Sequence, residues 1–161
     1  MGLGQRVAQA AGGLEQFYKY NIQPDVYLAE VFAGQVPAPK VFDVGGKALG
    51  LMAAPPQRLR YWRANGKTVW IFDEIGKDGY LPTTCAFVIK GGTVEAAKVL
   101  IYRESRGEQI GQPSFLQQLA GARAAGAALD KRVDNISGAT YSVKLMERMA
   151  RAALTLDSMA V

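Results

Sequence analysis

Asn65-Gly66 interrupts a long alternation of large side chains and leaves the chain few choices. Arg58-Leu59-Arg60-Tyr61-Trp62-Arg63-Ala64 precedes the pair and Lys67-Thr68-Val69-Trp70-Ile71-Phe72-Asp73 follows it. Asn-Gly tolerates the positive φ angles of a type I′ turn, whose twist matches that of two antiparallel strands, so the pattern predicts a hairpin. Strand counting sets Trp62 and Trp70 opposite each other or nearly so, as packing residues.

The same signal recurs. Gly91-Gly92 separates Leu81–Lys90 from Thr93–Glu104, both rich in β-branched and aromatic residues, and Gly45-Gly46 separates two shorter strand candidates, Lys40–Val44 and Lys47–Met52. Consecutive antiparallel pairing is the expected topology. Helical signals flank it. Val7, Ala11, Leu14, Phe17 and Tyr18 recur at helical spacing, Pro24-Asp25 opens a short helix that Gly34 stops, another runs around Pro113–Ala120, and a last one spans about Tyr141–Leu156. The fold class is therefore α+β: an antiparallel sheet of hairpins flanked by N-terminal and C-terminal helices. At 161 residues the chain is long enough for one sizeable core, and it divides into an N-terminal helical segment, 1–39, packed on a globular unit, 40–161.

Composition narrows the chemistry. The sequence contains no histidine, which removes imidazole metal ligands and every nucleophile activated by a His base, and its one cysteine, Cys85, reads as a buried thiol within an apolar run. No metal site and no acid–base or nucleophile constellation is expected, so redox chemistry requires an organic cofactor. The net charge of +5 is spread along the chain, with a local concentration at Lys131, Arg132, Lys144, Arg148 and Arg151 that would suit a phosphate or form a solvated helix face. Nucleic-acid readers show more concentrated basic surfaces, so no nucleic-acid partner is expected. No apolar run approaches the roughly 20 residues of a membrane span. Met1–Gly13 does not read as a secretory leader either.

The informative stretch is Asp134-Asn135-Ile136-Ser137-Gly138-Ala139-Thr140-Tyr141-Ser142, at the start of the last helix. Unpaired N–H groups and the positive end of the helix dipole favour an anion there, Gly138 permits close approach, and Ala139 adds no bulk. Ser, Thr and Gly before an amphipathic helix are also ordinary capping chemistry. The residues alone leave both readings open, although Glu or Gln is absent from the third position after Ser137, Thr140 and Ser142, so no capping box forms.

Asp134 followed by Ser137-Gly138-Ala139-Thr140 resembles the flavinylation motif of FMN-binding domains, the type found in the C subunit of sodium-pumping NADH:quinone oxidoreductase and the G subunit of the Rnf complex. Gly79-Tyr80-Leu81-Pro82 resembles that family's glycine-aromatic entry into a strand. Tyr102-Arg103-Glu104-Ser105-Arg106-Gly107 resembles its strand end, usually Glu-Thr-Pro-Gly, with Ser105 and Arg106 departing from the pattern. The resemblance runs from about Gly76 to Leu154. It implies FMN attached covalently, as a phosphoester, to Thr140 by a flavin transferase acting on FAD. Ser137, Gly138 and Ala139 would shape the phosphate turn and Asp134 would serve recognition by the transferase. Gly79, Tyr80, Leu81, Pro82, Glu104 and Ser105 would surround the ring. An electron carrier rather than a stand-alone enzyme is implied, with a protein or quinone as redox partner and a periplasmic or otherwise extracytoplasmic location. The alternative is a flavin-based sensory module that binds a partner without relaying electrons.

Overall fold

A computed structural model describes residues 20–160. Six strands form one antiparallel sheet in the order β1-β6-β5-β4-β3-β2: β1 (Tyr20–Asn21), β2 (Lys40–Asp43), β3 (Arg58–Ala64), β4 (Lys67–Glu74), β5 (Thr83–Lys90) and β6 (Thr93–Tyr102). The two hairpins turn where expected, with Asn65 and Gly66 at φ 55° and 79° and Gly91 and Gly92 at 59° and 74°. Helix α1 (Pro24–Val31) ends as Gly34, at φ 82°, donates its N–H to the Ala29 carbonyl at 2.8 Å. Beyond the sheet lie a short helix α2 (Pro113–Leu116) between two 3-10 turns, a two-residue hairpin of β7 (Ala124–Ala125) and β8 (Ala128–Leu129), and the 20-residue helix α3 (Thr140–Met159).

Both faces of the sheet are covered, which explains why β5 is buried at every position but its last. Cys85, Phe87 and Ile89 point to the layer of α3 and α2, meeting Met146, Met149 and Phe115, while Ala86 and Val88 point to the other layer and meet Tyr27, Leu28 and Phe32 of α1 and its end. The first layer holds the larger core. No helix among the described residues is long and apolar enough to cross a membrane.

Three expectations meet corrections or limits. Lys47–Met52 is not a strand. Its chain runs as a loop whose Leu49 is buried, and the amides of Met52 and Ala53 are taken by the Glu74 carboxylate rather than by a neighbouring strand. Trp62 and Trp70 do not face each other: the register pairs Tyr61 with Trp70 and Trp62 with Val69. A one-residue offset reverses the face of a side chain, so Trp70 stacks on Tyr61 at 4.6 Å in the α3 layer while Trp62 packs in the α1 layer. The helical spacing through Val7–Tyr18 lies outside the described residues.

The far end of α3 is locked to the sheet by Asp157, whose Oδ1 accepts Trp70 Nε1–H at 3.0 Å and an Arg63 guanidinium N–H at 3.1 Å. Asp157→Ala leaves the fully buried indole N–H without a partner and should lower stability by about 1–3 kcal/mol in urea unfolding. Asp157→Asn, which keeps an acceptor, should lose less. In the other layer, burial pushes the Tyr27 phenol up to about 12, with Glu30 and Glu95 adding to the rise. The folded chain then keeps a proton that the unfolded chain releases near pH 10. This stabilisation is complete below pH 10 and is lost as pH climbs towards 12, at no more than about 1.4 kcal/mol per pH unit. Tyr27→Phe should flatten that alkaline limb of a stability–pH profile.

Candidate functional site

Three segments distant in sequence meet at one end of the sheet: the Gly76–Pro82 turn after β4, the Tyr102–Gly107 run at the end of β6, and the start of α3. Each is held by particular bonds. Arg148 of α3 donates through Nε to Glu74 Oε2 at 2.7 Å and through Nη2 to the Ile75 carbonyl at 2.8 Å, which sets α3 against the chain entering the turn. Gly76 then packs against Tyr141 and Tyr80. A Cβ there would lie 3.5 Å from Tyr141 Cβ and 3.6 Å from Tyr80 Cδ2. The turn closes as Tyr80 donates its N–H to the Lys77 carbonyl at 2.9 Å.

The second segment is tied to the first by charge. Glu104 accepts the Leu81 N–H, and the Arg103 guanidinium donates to the Pro82 carbonyl at 2.8 Å and to Thr84 Oγ1 at 3.1 Å. It is tied to α3 by a hydroxyl chain. Tyr102 donates its single O–H to the Arg106 carbonyl, so Ser142 is the donor in the 3.1 Å contact between Ser142 Oγ and Tyr102 Oη. Burial raises the Tyr102 phenol above its ordinary value despite the opposing Ser142 bond, with Glu104 and Glu108 adding to the rise, and the group stays a donor at neutral pH. Gly107, at φ 89°, makes room for this chain: a Cβ would come within 2.1 Å of Ser142 Oγ and 2.6 Å of Tyr102 Oη.

The third segment is the predicted motif. Ile136 accepts the Ala139 N–H at 2.9 Å, closing a turn with Ser137 and Gly138 at its tip, where φ is 80° at Gly138 and nothing lies within 4 Å of an added Cβ. Ala139 is the N-cap and offers no side-chain hydrogen bond. The expected alternative of a side-chain cap at Ser137 or Thr140 is therefore not what the helix start uses. The first bond into the helix runs from Val143 N–H to the Ala139 carbonyl at 3.0 Å, leaving the amides of Thr140, Tyr141 and Ser142 as the helix's orphan donors. Thr140, Ser137 and Gly138 are exposed, Ala139 is buried beneath them, and this arrangement can receive a phosphate with Thr140 Oγ beside it.

Of the expected residues, Tyr80, Leu81, Pro82 and Glu104 come together beside the start of α3, with the exposed Gly79 at φ 85° in the same turn. Ser105 is exposed at the end of β6. Asp134 stands apart: its N–H donates to Gln118 Oε1 at 2.8 Å, and its side chain lines a recess of ≈ 270 Å³ shared with Gln109, Gln112 and Asn135. The basic cluster is largely committed elsewhere, with Arg148 on Glu74, Arg151 on the Gly126 carbonyl and Lys131 on the Ala120 carbonyl. Lys77 also comes to the start of α3, where its Nζ lies 5.2 Å from the Tyr141 ring centroid. Sequence reading missed Lys77, Gly76, Tyr141 and Ser142. Tyr141 and Ser142 sat inside the quoted motif, and Gly76 at the edge of the matched stretch, but only their contacts across the fold mark them.

An α+β domain that ends its sheet on an uncapped helix start with exposed aromatic rings has the features an anionic, ring-bearing cofactor requires. Residues 76–155 match the family model of the FMN-binding domain, from the Gly76 turn to the last turns of α3. The chain belongs to this family, and it is a flavin-binding protein whose cofactor is FMN. No curated protein and no solved structure matches the chain.

The junction at Gly107 offers a direct check of the assembly. Gly107→Ala forces Ser142 and Tyr102 apart in a left-handed backbone region, and should lower stability by more than about 2 kcal/mol in chemical unfolding. Gly138→Ala meets only the conformational cost, about 1 kcal/mol.

Proposed function

We propose that the chain carries FMN as a phosphoester on Thr140, placed there by a flavin transferase, and passes electrons to a redox partner protein or a quinone outside the cytoplasm. The observation that carries this reading is the exposed Thr140 side chain on the first residue of a 20-residue helix with no side-chain cap, within a stretch that matches the FMN-binding domain. Thr140 stands one residue past the N-cap Ala139, so its hydroxyl is not needed to cap the helix and is left to solvent.

In the attachment step Thr140 Oγ gives up its proton to a base on the transferase and bonds to the FMN phosphorus of FAD, with AMP leaving. The amides of Thr140, Tyr141 and Ser142 then face the phosphoester oxygens along the helix dipole, and Gly138 keeps that approach clear. Ser137 presents its hydroxyl at the tip of the turn. Asp134 offers the transferase an exposed carboxylate on a segment fixed through Gln118. Tyr80, Leu81 and Tyr141 supply exposed apolar surface for the ring, bordered by Glu104, Pro82, Gly79 and Ser105. Bound flavin supplies reversible uptake of one or two electrons. Covalent anchorage keeps the cofactor where free FMN is scarce, which is the reason for the extracytoplasmic assignment.

Co-production with a flavin transferase should give a protein whose flavin fluorescence stays with the polypeptide on a denaturing gel. Thr140→Val should abolish that band while leaving the unfolding free energy within about 0.5 kcal/mol of the unmodified wild type. A gel-stable flavin on the valine variant would sink the assignment of Thr140, and a variant unable to fold would return the residue to a structural role. After photoreduction, the loaded wild type should reduce a quinone or cytochrome faster than the valine variant does.

A further inference from the structure

Large apolar side chains that remain exposed are few among the described residues, and three gather at the start of α3: Tyr80 at 41%, Leu81 at 50% and Tyr141 at 49%. They form one surface. The Tyr80 and Tyr141 rings meet edge to face, 6.1 Å between centroids and 77° between planes, and Gly76 packs against both residues. Lys77 lies over the Tyr141 ring at 5.2 Å, next in sequence to that glycine. Tyr141 is the residue after Thr140, so anything tethered at Thr140 begins beside this surface.

Resting on the flavin-tethering reading above, we infer that Lys77 sets the reduction potential of the tethered flavin, with Tyr141 and Tyr80 as the seat that holds the ring near its ammonium. A flavin that takes up two electrons and one proton gains one net negative charge, and a cation close by favours that form over the oxidised one. Across about 6 Å at an effective dielectric near 40, the interaction corresponds to roughly a tenfold change in the reduction equilibrium. Of the other charges near the surface, Glu104 is held on the Leu81 amide and Arg103 on the Pro82 carbonyl and Thr84, while Lys144 and Arg106 are exposed nearby. Lys77 Nζ lies over the Tyr141 ring, whose quadrupole attracts a cation to that face. Asp78, its exposed neighbour, opposes it from the adjoining position.

The test uses protein loaded by the transferase and equilibrated with a two-electron reference dye, whose reduced form supplies both electrons and whose surplus proton goes to the buffer. Wild type, Lys77→Met, Lys77→Arg and Tyr141→Leu are compared, each first checked for gel-stable flavin and for an unchanged far-ultraviolet circular dichroism spectrum. Lys77→Met should lower the reduction equilibrium constant roughly tenfold, about 30 mV for a two-electron couple. Lys77→Arg should restore most of it, and added salt should narrow the gap between wild type and Lys77→Met. Tyr141→Leu should increase flavin fluorescence, because an aromatic ring that quenches it is gone, and should reproduce part of the Lys77→Met shift. Flavin attached normally but with the same potential in Lys77→Met as in wild type would overturn this inference alone. Absence of gel-stable flavin in all four, wild type included, would overturn the tethering reading and this inference with it.

Discussion

The buried carboxylate of Glu74 is the point on which the rest of the molecule turns. It is wholly removed from solvent at the last position of β4, yet it accepts the amides of Met52, Ala53 and Ile75 and the Nε–H of Arg148. An ion of this kind is tolerable in a low-dielectric interior only when its oxygens are fully engaged, and removing one partner of such a pair typically costs about 3–5 kcal/mol. Because Arg148 also holds the Ile75 carbonyl, one charge pair fixes the loop after β2, the exit of β4 and the middle of α3 together.

That fixation determines where a site can exist. Arg148 is two turns along α3 from Tyr141, so the pair and the tyrosine sit on one side of the helix, and the chain leaving Glu74 must run past the helix start. The Gly76 turn is thereby brought against Tyr141, while Tyr102, Ser142 and Gly107 bring the end of β6 to the same place. At the opposite end of α3, Asp157 on Trp70 and Arg63 keeps the helix from pivoting. A cofactor seat built from three separate segments needs such rigid joints, because an error at either end of a 20-residue helix is carried to the other.

The electrostatics of the site follow from the same economy of partners. Three cations of the local sequence concentration, Lys131, Arg148 and Arg151, are bound to carbonyls and to Glu74, while Lys77, from a different part of the chain, lies over the Tyr141 ring. Helix dipole, orphan amides and Lys77 then act on the same small region. An anion at the helix start is favoured by the first two.

The amino-acid sequence alone determined the hairpins, since Asn65-Gly66 and Gly91-Gly92 admit few other conformations between strand-forming runs, and it determined the position of the last helix and the motif at its start. Local chemistry is enough for those features because turn angles, helix entry and motif order involve residues near each other in the chain. Register, partners and charge are different. Trp62 and Trp70 fell on opposite faces because one residue of offset reverses a side chain, and Lys47–Met52 formed a loop because Glu74, 22 residues from Met52, claimed its amides. Lys77, Tyr141 and Ser142 became parts of one site only when the sheet end, the turn and α3 met. Only the tertiary structure decided these, because contacts between segments depend on which buried polar groups find partners and which faces the cores occupy, and neither is written in any short stretch of sequence.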